Sequence, residues 1–245
     1  GSRDTGRGEQ AVQKLLEEVP GCQDRLEMLQ VDTTSDESVQ AAAASIKGPL
    51  YGIVNNAGVG FGRTFEETIA TNYFGPRRVS DAFSKHLVLP GGRIVNLASA
   101  SAPNFLSRLA IPELKEKLTY PTTLFTGGIP EVDELAKSYF PQLDYGNDAY
   151  GVSKALLNAY TSLYAKAEPN LVINSCSPGY IATDLTAGMG ATSPPSKGAV
   201  CPVWLLMSDE HLAYPTGRYY GSDCVRSPIH FYRGPGEAPY DGPDA

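Results

Sequence analysis

The 245-residue chain has few of the residues that build metal sites or disulfide frameworks. It contains four cysteines and three histidines. The cysteines show no Cys-x-x-Cys spacing and no accompanying histidine cluster, and they stand at Cys22, Cys176, Cys201 and Cys224. This pattern disfavours zinc and disulfides and favours free thiols in a reducing compartment. We therefore predict no metal site and a cytoplasmic location.

Positive charge and long apolar runs are also scarce. The 20 Lys and Arg residues are outnumbered by 27 Asp and Glu, which leaves a net charge of −7. A general nucleic-acid or anionic-membrane surface is therefore not expected. No apolar run is long enough to span a bilayer, and no signal peptide opens the chain, whose start has the character of a truncation. The apolar share of 42% and charged share of 19% are typical of a globular protein.

Helical and strand patterns alternate along the chain. Helical periodicity predicts helices at residues 6–19, 34–48, 65–88, 148–167 and 196–208. Short apolar runs predict strands at residues 25–31, 51–54, 93–98, 171–175 and 217–220. This alternation is typical of an α/β fold with a doubly wound, Rossmann-like parallel sheet. We assign residues 1–245 to one such domain and expect its ligands beyond the carboxyl ends of the strands.

Tyr150 and Lys154 form the most informative pair of the chain. Of the 14 tyrosines, only Tyr150 is followed by a lysine four residues later. On a helix, positions four apart share one face. An ammonium near a phenol favours the phenolate and lowers its pKa, so the tyrosine can exchange a proton with a carbonyl or alcohol oxygen. The spacing alone is weak, and the surrounding sequence decides its meaning.

Four further features lie at predicted strand ends or on the helices between them. Each has an ordinary explanation in isolation, such as a tight turn, a solvent-exposed amide or a capping hydroxyl. In chain order they are Asn55-Asn56-Ala57-Gly58, Asn72, Ser99 and the stretch from Pro178 and Gly179 to Thr183. Together with Tyr150 and Lys154, they resemble the short-chain dehydrogenase/reductase family over nearly the whole chain.

The resemblance implies a catalytic role for four residues. Tyr150 would be the general acid in carbonyl reduction, and Lys154 would lower its pKa and hold the nicotinamide ribose. Ser99 would hydrogen-bond the substrate carbonyl. Asn72 would help to hold a water molecule in a proton relay to Lys154. Ser99 and Tyr150 would then both donate to the oxygen on which negative charge develops.

The resemblance also implies a dinucleotide site. Asn55, Ala57 and Gly58 would line its adenosine and ribose side, and Asp32 would contact the adenine. Pro178 and Gly179 would lead to Thr183, which would contact the carboxamide. Arg3, with Arg7, favours the 2′-phosphate of NADP, since an acidic residue at that place would bind the ribose hydroxyls of NAD. We therefore expect NADP(H) as the cofactor and a small carbonyl or alcohol compound as the substrate.

Two features depart from the family pattern. The glycine-rich dinucleotide turn is absent, and the first strand, that turn and the first helix would precede residue 1. An incomplete gene model, unseen residues and a genuine truncation all explain this. The second departure is an insert at about 101–147. Such inserts resemble those of the monomeric carbonyl reductases and the salutaridine- and menthone-type reductases, where they cover the tetramer surface, so we predict a monomer.

The insert and the segment 185–196 are expected to build the substrate pocket. Aromatic and apolar insert residues are candidates for its wall or for plain packing, namely Phe105, Leu106, Tyr139 and Phe140.

The leading interpretation is an NADPH-dependent reductase of ketones or aldehydes. The alternative is a non-catalytic interaction subunit that kept the fold but lost its dinucleotide turn. A nucleotide-sugar epimerase of the extended branch is disfavoured, because too little chain follows Gly179 for its substrate domain.

Overall fold

Four short parallel strands form the centre of the protein. The structure is a computed structural model that describes residues 1–143, 148–213 and 215–243. Its sheet has the order β1-β2-β3-β4, with β1 Gly52–Asn55, β2 Arg93–Leu97, β3 Val172–Cys176 and β4 Tyr219–Tyr220. The parallel pairing and the flanking helices confirm the predicted Rossmann-like α/β class. All four strands therefore point their carboxyl ends toward the same edge of the sheet.

Eleven α-helices within the described ranges connect and cover these strands. They are α1 Thr5–Glu18, α2 Asp36–Ala44, α3 Phe65–Ile69, α4 Gly75–Phe83, α5 Ser101–Arg108, α6 Pro112–Thr119, α7 Pro121–Leu124, α8 Ile129–Glu134, α9 Ala149–Ala167, α10 Pro195–Gly198 and α11 Val200–Met207. None of these helices combines the length and apolar character that a membrane crossing requires.

Helix α9 lies at the centre of the largest hydrophobic core. Sixteen of its 19 residues are buried, so neighbouring elements cover it on nearly all sides. Ile94 of β2 and Ile173 of β3 belong to the same core cluster. Leu106 of α5 and Leu118 of α6 join it from the inserted region. The helix that carries Tyr150 and Lys154 is therefore fixed by packing from both the sheet and the insert.

The structure corrects two sequence-based boundaries. The strand predicted at residues 25–31 is reduced to an isolated parallel bridge between Ser2 and Gln30. A strand needs a continuous backbone partner, and only Ser2 provides one there. The helix predicted over 65–88 is interrupted by a π-helical turn at Ala70–Phe74 and ends in a 3₁₀ turn at Ser84–His86.

A wide gap lies beside strand β1. The edge of β1 that faces away from β2 pairs with no other strand of the described residues. A cavity of about 680 Å³ separates this edge from the Ser2–Gln30 bridge. The sheet is therefore discontinuous at this point, in line with the predicted lack of a first strand.

The inserted region forms a helical layer over α9. Helices α5 to α8 follow one another there, together with a π-helical turn at Leu135–Tyr139. Residues 144–147 of the predicted insert lie outside the described residues, and the assignment of residues 1–245 to a single domain stays a prediction. The insert is anchored by Asp133, which pairs with Arg77 of α4 and accepts a hydrogen bond of 2.9 Å from the Tyr73 hydroxyl.

Removal of this anchor tests how firmly the insert is attached. We expect Asp133→Ala to lower the free energy of unfolding by about 2 kcal/mol, because a buried tyrosine hydroxyl and a largely buried guanidinium each lose a partner. Urea unfolding measures the change, with the exposed neighbour substitution Glu134→Ala as the control. Equal stability of the two variants would contradict an anchoring role for Asp133.

Candidate active site

Ser99 and Tyr150 meet at the carboxyl end of the sheet. Ser99 follows β2, and its Oγ accepts a hydrogen bond of 3.1 Å from the backbone N–H of Ser101 at the start of α5. Tyr150 lies in the first turn of α9. Both hydroxyls line one cavity of about 630 Å³. The two predicted donors are thus brought together where a carbonyl oxygen could bind.

The position of Tyr150 depends on the N-cap of α9. Asp148 accepts a hydrogen bond of 2.8 Å from the backbone N–H of Gly151 and pairs with Arg108 at 3.0 Å. A Cβ at Gly151 would lie 2.5 Å from the Asp148 carboxylate, so a larger residue there would displace this carboxylate from its capping position. The cap satisfies a helix donor that would otherwise lack a partner. Asp148 and Gly151 therefore fix the start of α9 and with it the tyrosine.

Lys154 is buried beneath the cavity floor. Its side chain is almost fully enclosed, and its Nζ donates a hydrogen bond of 2.7 Å to the carbonyl oxygen of Leu97 at the end of β2. Nζ lies 5.8 Å from the centroid of the Tyr150 ring. Burial lowers the pKa of Lys154 from 10.5 to about 8, since desolvation disfavours the ammonium form.

The expected lowering of the Tyr150 pKa is not seen in this structure. Burial raises the pKa of Tyr150 above its ordinary value, and the nearby Ser99 hydroxyl opposes this only in part. The reason is geometric, because Nζ of Lys154 is directed to the Leu97 carbonyl and not to the phenol oxygen. In this arrangement Tyr150 is a protonated donor.

The hydrogen bonds of Asn72 explain why an asparagine is present in the middle of this helix. It lies fully buried in the π-helical turn at Ala70–Phe74. Its amide oxygen accepts from the backbone N–H of Val59 at 2.8 Å, and its amide nitrogen donates to the carbonyl oxygen of Val59 at 3.0 Å and to Ser153 at 3.1 Å. Asn72 thus pins the loop after β1 to α9. Whether it also holds a relay water stays a prediction.

Asn55 and the residues after it lie between the protein core and the cavity beside β1. The Asn55 amide donates to Asn96 at 2.8 Å and to Ser80 at 3.1 Å, within the interior. Asn55, Ala57 and Gly58 all line the larger cavity beside β1. A Cβ at Gly58 would lie 3.2 Å from Oδ1 of Asn72 and 3.8 Å from Nζ of Lys154. Gly58 therefore keeps the space above these two groups open.

The loop after β3 forms the opposite wall of the active-site cavity. Pro178, Gly179 and Thr183 all line it, and their contact with a cofactor stays a prediction. Gly179 adopts a φ of +92°, which a residue with a side chain rarely adopts, and a Cβ there would lie 3.2 Å from Ser222. Thr183 caps the 3₁₀ turn Asp184–Thr186. The predicted carboxamide-contacting residue therefore faces the same space as Tyr150.

Arg3 and Asp32 lie at the far end, in the larger cavity. Both line it together with Ala57 and Gly58. One oxygen of Asp32 accepts from the hydroxyl of Thr34 at 2.7 Å and from its backbone N–H at 2.9 Å. These bonds, aided by the charge of Arg3, hold the pKa of Asp32 below its ordinary value. The carboxylate is therefore ionised and fixed in place.

The substrate wall differs from the prediction. Of the described insert residues, Ser101 alone lines the active-site cavity. Phe105, Leu106 and Phe140 are buried in the core, so the packing alternative is correct for these three. The segment after Thr183 does contribute as predicted, through Leu185, Thr186, Met189 and Pro195.

Comparison with known proteins places this geometry in context. The family model for short chain dehydrogenase matches residues 3–109. Carbonyl reductase 1 of Homo sapiens is 30% identical over 91% of this chain and 86% of its own length. The (+)-neomenthol dehydrogenase of Arabidopsis thaliana is 30% identical over 91% of this chain and 87% of its own. The chain belongs to the short-chain dehydrogenase/reductase family.

Two solved structures of this family share the fold of the chain. Salutaridine reductase from Papaver somniferum superposes with a TM-score of 0.74 at 24% identity, covering 89% of each chain. Menthone neomenthol reductase from Mentha piperita gives a TM-score of 0.69 at 26% identity, covering 91% of this chain and 89% of its own. The relatives and structures found thus include the carbonyl reductases and the salutaridine- and menthone-type reductases, the group predicted from the insert.

The residues present fit part of a dinucleotide. The two cavities share Val54, Asn56, Gly58 and Val59 in their walls, so they adjoin along the carboxyl ends of the strands. This shape suits a long ligand with its reactive end at Tyr150 and its other end at Arg3. None of the described strands is followed by the Gly-x-Gly-x-x-Gly turn that holds a pyrophosphate at a helix N-terminus. The fit is therefore good at both ends and lacks that phosphate cradle between them.

Some residues of this family member's site escaped the sequence analysis. Phe61 lines the cavity, and its ring centroid lies 5.0 Å from that of Tyr150. Tyr180 lines the opposite side. No spacing rule links Phe61 to a residue so far along the chain. The available signal was the Gly60-Phe61-Gly62 sequence directly after the predicted ligand-binding turn.

The buried Lys154 is expected to cost stability. Because folding lowers its pKa, this cost is fully present below about pH 8 and is relieved as the pH rises toward 10.5. Lys154→Met should therefore raise the free energy of unfolding at pH 7 by about 2 kcal/mol, after loss of the hydrogen bond to Leu97.

Calorimetry at pH 7 and pH 10 checks this, and the gain should shrink at the higher pH. Lys166→Met, which alters an exposed lysine of the same helix, is the control. A destabilised Lys154→Met at pH 7 would refute the assigned cost of burial.

Proposed function

We propose that the chain is an NADPH-dependent oxidoreductase that reduces a ketone or aldehyde to an alcohol. The observation that carries this proposal is the placement of Ser99, Tyr150 and the buried Lys154 together in the lining of one cavity at the carboxyl end of a parallel sheet. The names of the relatives, a carbonyl reductase and a neomenthol dehydrogenase, support the same reaction class.

The cofactor would supply a hydride to the carbonyl carbon, and the residues of the chain would manage the oxygen. Ser99 would donate a hydrogen bond to that oxygen, and Tyr150 would transfer its proton as negative charge develops there. The raised pKa of Tyr150 keeps the phenol protonated, which suits an acid in the reductive direction. Lys154 would hold the nicotinamide ribose and, once turned from Leu97 toward the phenol, favour release of the proton.

NADP is proposed in preference to NAD on the strength of Arg3. Its exposed side chain stands at the end of the cavity where the adenosine would lie, beside the fixed Asp32. A guanidinium binds a phosphate group strongly through charge-assisted hydrogen bonds. The human relative is named as an NADPH enzyme, which supports the same choice. Asn55, Ala57, Gly58, Pro178, Gly179 and Thr183 are proposed to line the remainder of the site.

We further propose that the protein acts as a monomer. Helices α5 to α8 pack over α9, and the Asp133 contact ties this layer to α4. The surface of α9 is thereby buried within the chain itself.

A non-catalytic role is the second candidate. It is favoured by the absence of a Gly-x-Gly-x-x-Gly dinucleotide turn from the described residues and by the direction of Lys154 away from the phenol. NADPH binding by this chain, and by a version with a restored family N-terminus, separates the two candidates. Binding by neither would exclude the enzyme, whereas binding with carbonyl-dependent NADPH oxidation would exclude the subunit role.

Substitution of the proposed acid tests the mechanism. Tyr150→Phe should lower kcat for carbonyl reduction at least about 100-fold, because the proton donor is lost. NADPH affinity should stay within about twofold, since the ring remains in place. NADPH absorbance measures turnover and fluorescence titration measures binding. Tyr139→Phe, at an exposed tyrosine outside the cavity, is the matched control, and near wild-type turnover in Tyr150→Phe would remove Tyr150 from the reaction.

Charge reversal at Arg3 tests the cofactor assignment. Arg3→Asp should lower the ratio of kcat/KM for NADPH over NADH by about tenfold or more, as a charged hydrogen bond to the 2′-phosphate is replaced by repulsion. The same ratio is measured for Arg25→Asp, an exposed arginine that does not line the cavity. If both variants keep the wild-type ratio, Arg3 does not contact the cofactor.

A further inference from the structure

An exposed aromatic ring stands over the proposed acid. The side chain of Phe61 is 57% exposed, although it lines the cavity that contains Ser99 and Tyr150. Its ring centroid lies 5.0 Å from that of Tyr150, at an interplanar angle of 47°. A phenylalanine ring carries a large apolar surface that is stabilised by removal from water. A group attached to a carbonyl at Tyr150 can cover this ring.

The backbone around Phe61 gives the ring a defined place. Asn72 holds Val59, two residues earlier, through both of its backbone polar groups. Gly60 packs against Leu185, where a Cβ would lie 3.0 Å from the leucine side chain. Gly62 follows at a φ of +79°. The turn is therefore pinned on one side of Phe61 and bent sharply on the other, which aims the ring at the cavity mouth.

Apolar side chains also line the other side of the mouth. Leu185, Met189 and Tyr180 border the cavity and are 38%, 44% and 52% exposed. The Tyr180 hydroxyl donates to the carbonyl oxygen of Met189, so this wall is held by its own backbone. Two partly exposed apolar walls thus face one space, and they touch where Gly60 meets Leu185.

The cavity contains little charge. Among the described residues that line it, Lys154 is the sole side chain with a formal charge, and it is buried beneath Tyr150. A substrate carboxylate or phosphate would lose its hydration without a charged partner at the mouth, which is costly. An uncharged substrate with an apolar ring loses no such hydration and gains burial.

We infer that Phe61 is a specificity-determining residue that selects uncharged carbonyl compounds bearing an apolar ring, which it packs against while the carbonyl lies at Ser99 and Tyr150. This inference rests on the proposed function and adds to it the class of substrate. Phe61 acts through apolar contact with the substrate and takes no part in proton transfer.

Two ketones that differ by one ring provide the test. 4-Phenyl-2-butanone and 2-butanone carry the same methyl ketone, and 4-oxopentanoate carries a carboxylate in place of the ring. For the wild-type protein, kcat/KM should decrease in the order phenyl ketone, butanone, oxopentanoate. In Phe61→Ala the ratio of kcat/KM for the phenyl ketone over butanone should fall about tenfold, mainly through KM. Phe61→Leu should recover part of this ratio.

Phe231→Ala is the matched control, since Phe231 is an exposed phenylalanine that does not line the cavity. It should keep the wild-type ratio. An unchanged ratio in Phe61→Ala, or an equal fall in Phe231→Ala, would overturn the inference.

A binding measurement separates this inference from the proposed function. Saturation-transfer NMR of 4-phenyl-2-butanone on the protein without cofactor should show transfer to the phenyl protons, reduced in Phe61→Ala and retained in Phe231→Ala. If no carbonyl compound is reduced but this pattern holds, the proposed reaction fails and the ring-binding role stands. Equal transfer in all three proteins would refute that role even in an active reductase.

Discussion

The burial of one ammonium group is the constraint around which the site is organised. Nζ of Lys154 is held by the Leu97 carbonyl, so helix α9 is tied to the end of strand β2. An ammonium in a core is tolerated only where it is hydrogen-bonded, and even then its pKa falls. The same contact places Ser99, two residues after Leu97, beside Tyr150, four residues before Lys154. The hydrogen bond from Lys154 to Leu97 thus sets the position of the Ser99 hydroxyl relative to the Tyr150 hydroxyl.

Packing then converts this contact into a rigid frame. Helix α9 is enclosed by the sheet on one side and by the insert on the other. Asp148 caps its first turn, and Asn72 joins that helix, through Ser153, to the loop after β1. The cavity wall formed by the loop after β1 is therefore tied to α9. A frame of this kind holds donors near the position where charge develops, which is the main requirement of the proposed reaction.

The sequence predicted those features that follow from helical spacing or from the ends of strands. It did not predict features that require a contact with a distant part of the chain. Tyr150 and Lys154 share a helix face because the helical repeat places them there, and Ser99 and Thr183 follow strands that must end at one edge. The strand at 25–31 was predicted from side-chain pattern alone, yet a strand exists only where a second backbone pairs with it. The sequence likewise did not predict the π-helical turn at Asn72. The hydrogen-bond partner of this side chain is Val59, which lies in a loop thirteen residues earlier in the chain.

The substrate wall shows the same division most clearly. Phe105, Leu106 and Phe140 were candidates for the pocket on the basis of apolar character, which core residues and pocket residues share. Their burial in the core shows that the insert supports α9 and that the mouth is formed elsewhere. Phe61 stands out only in three dimensions, since its contact with Tyr150 joins a loop to a helix that is remote in sequence. The proposed reacting groups thus depend on the frame around α9, whereas the proposed contact with the substrate ring depends on two loops whose side chains stay partly exposed.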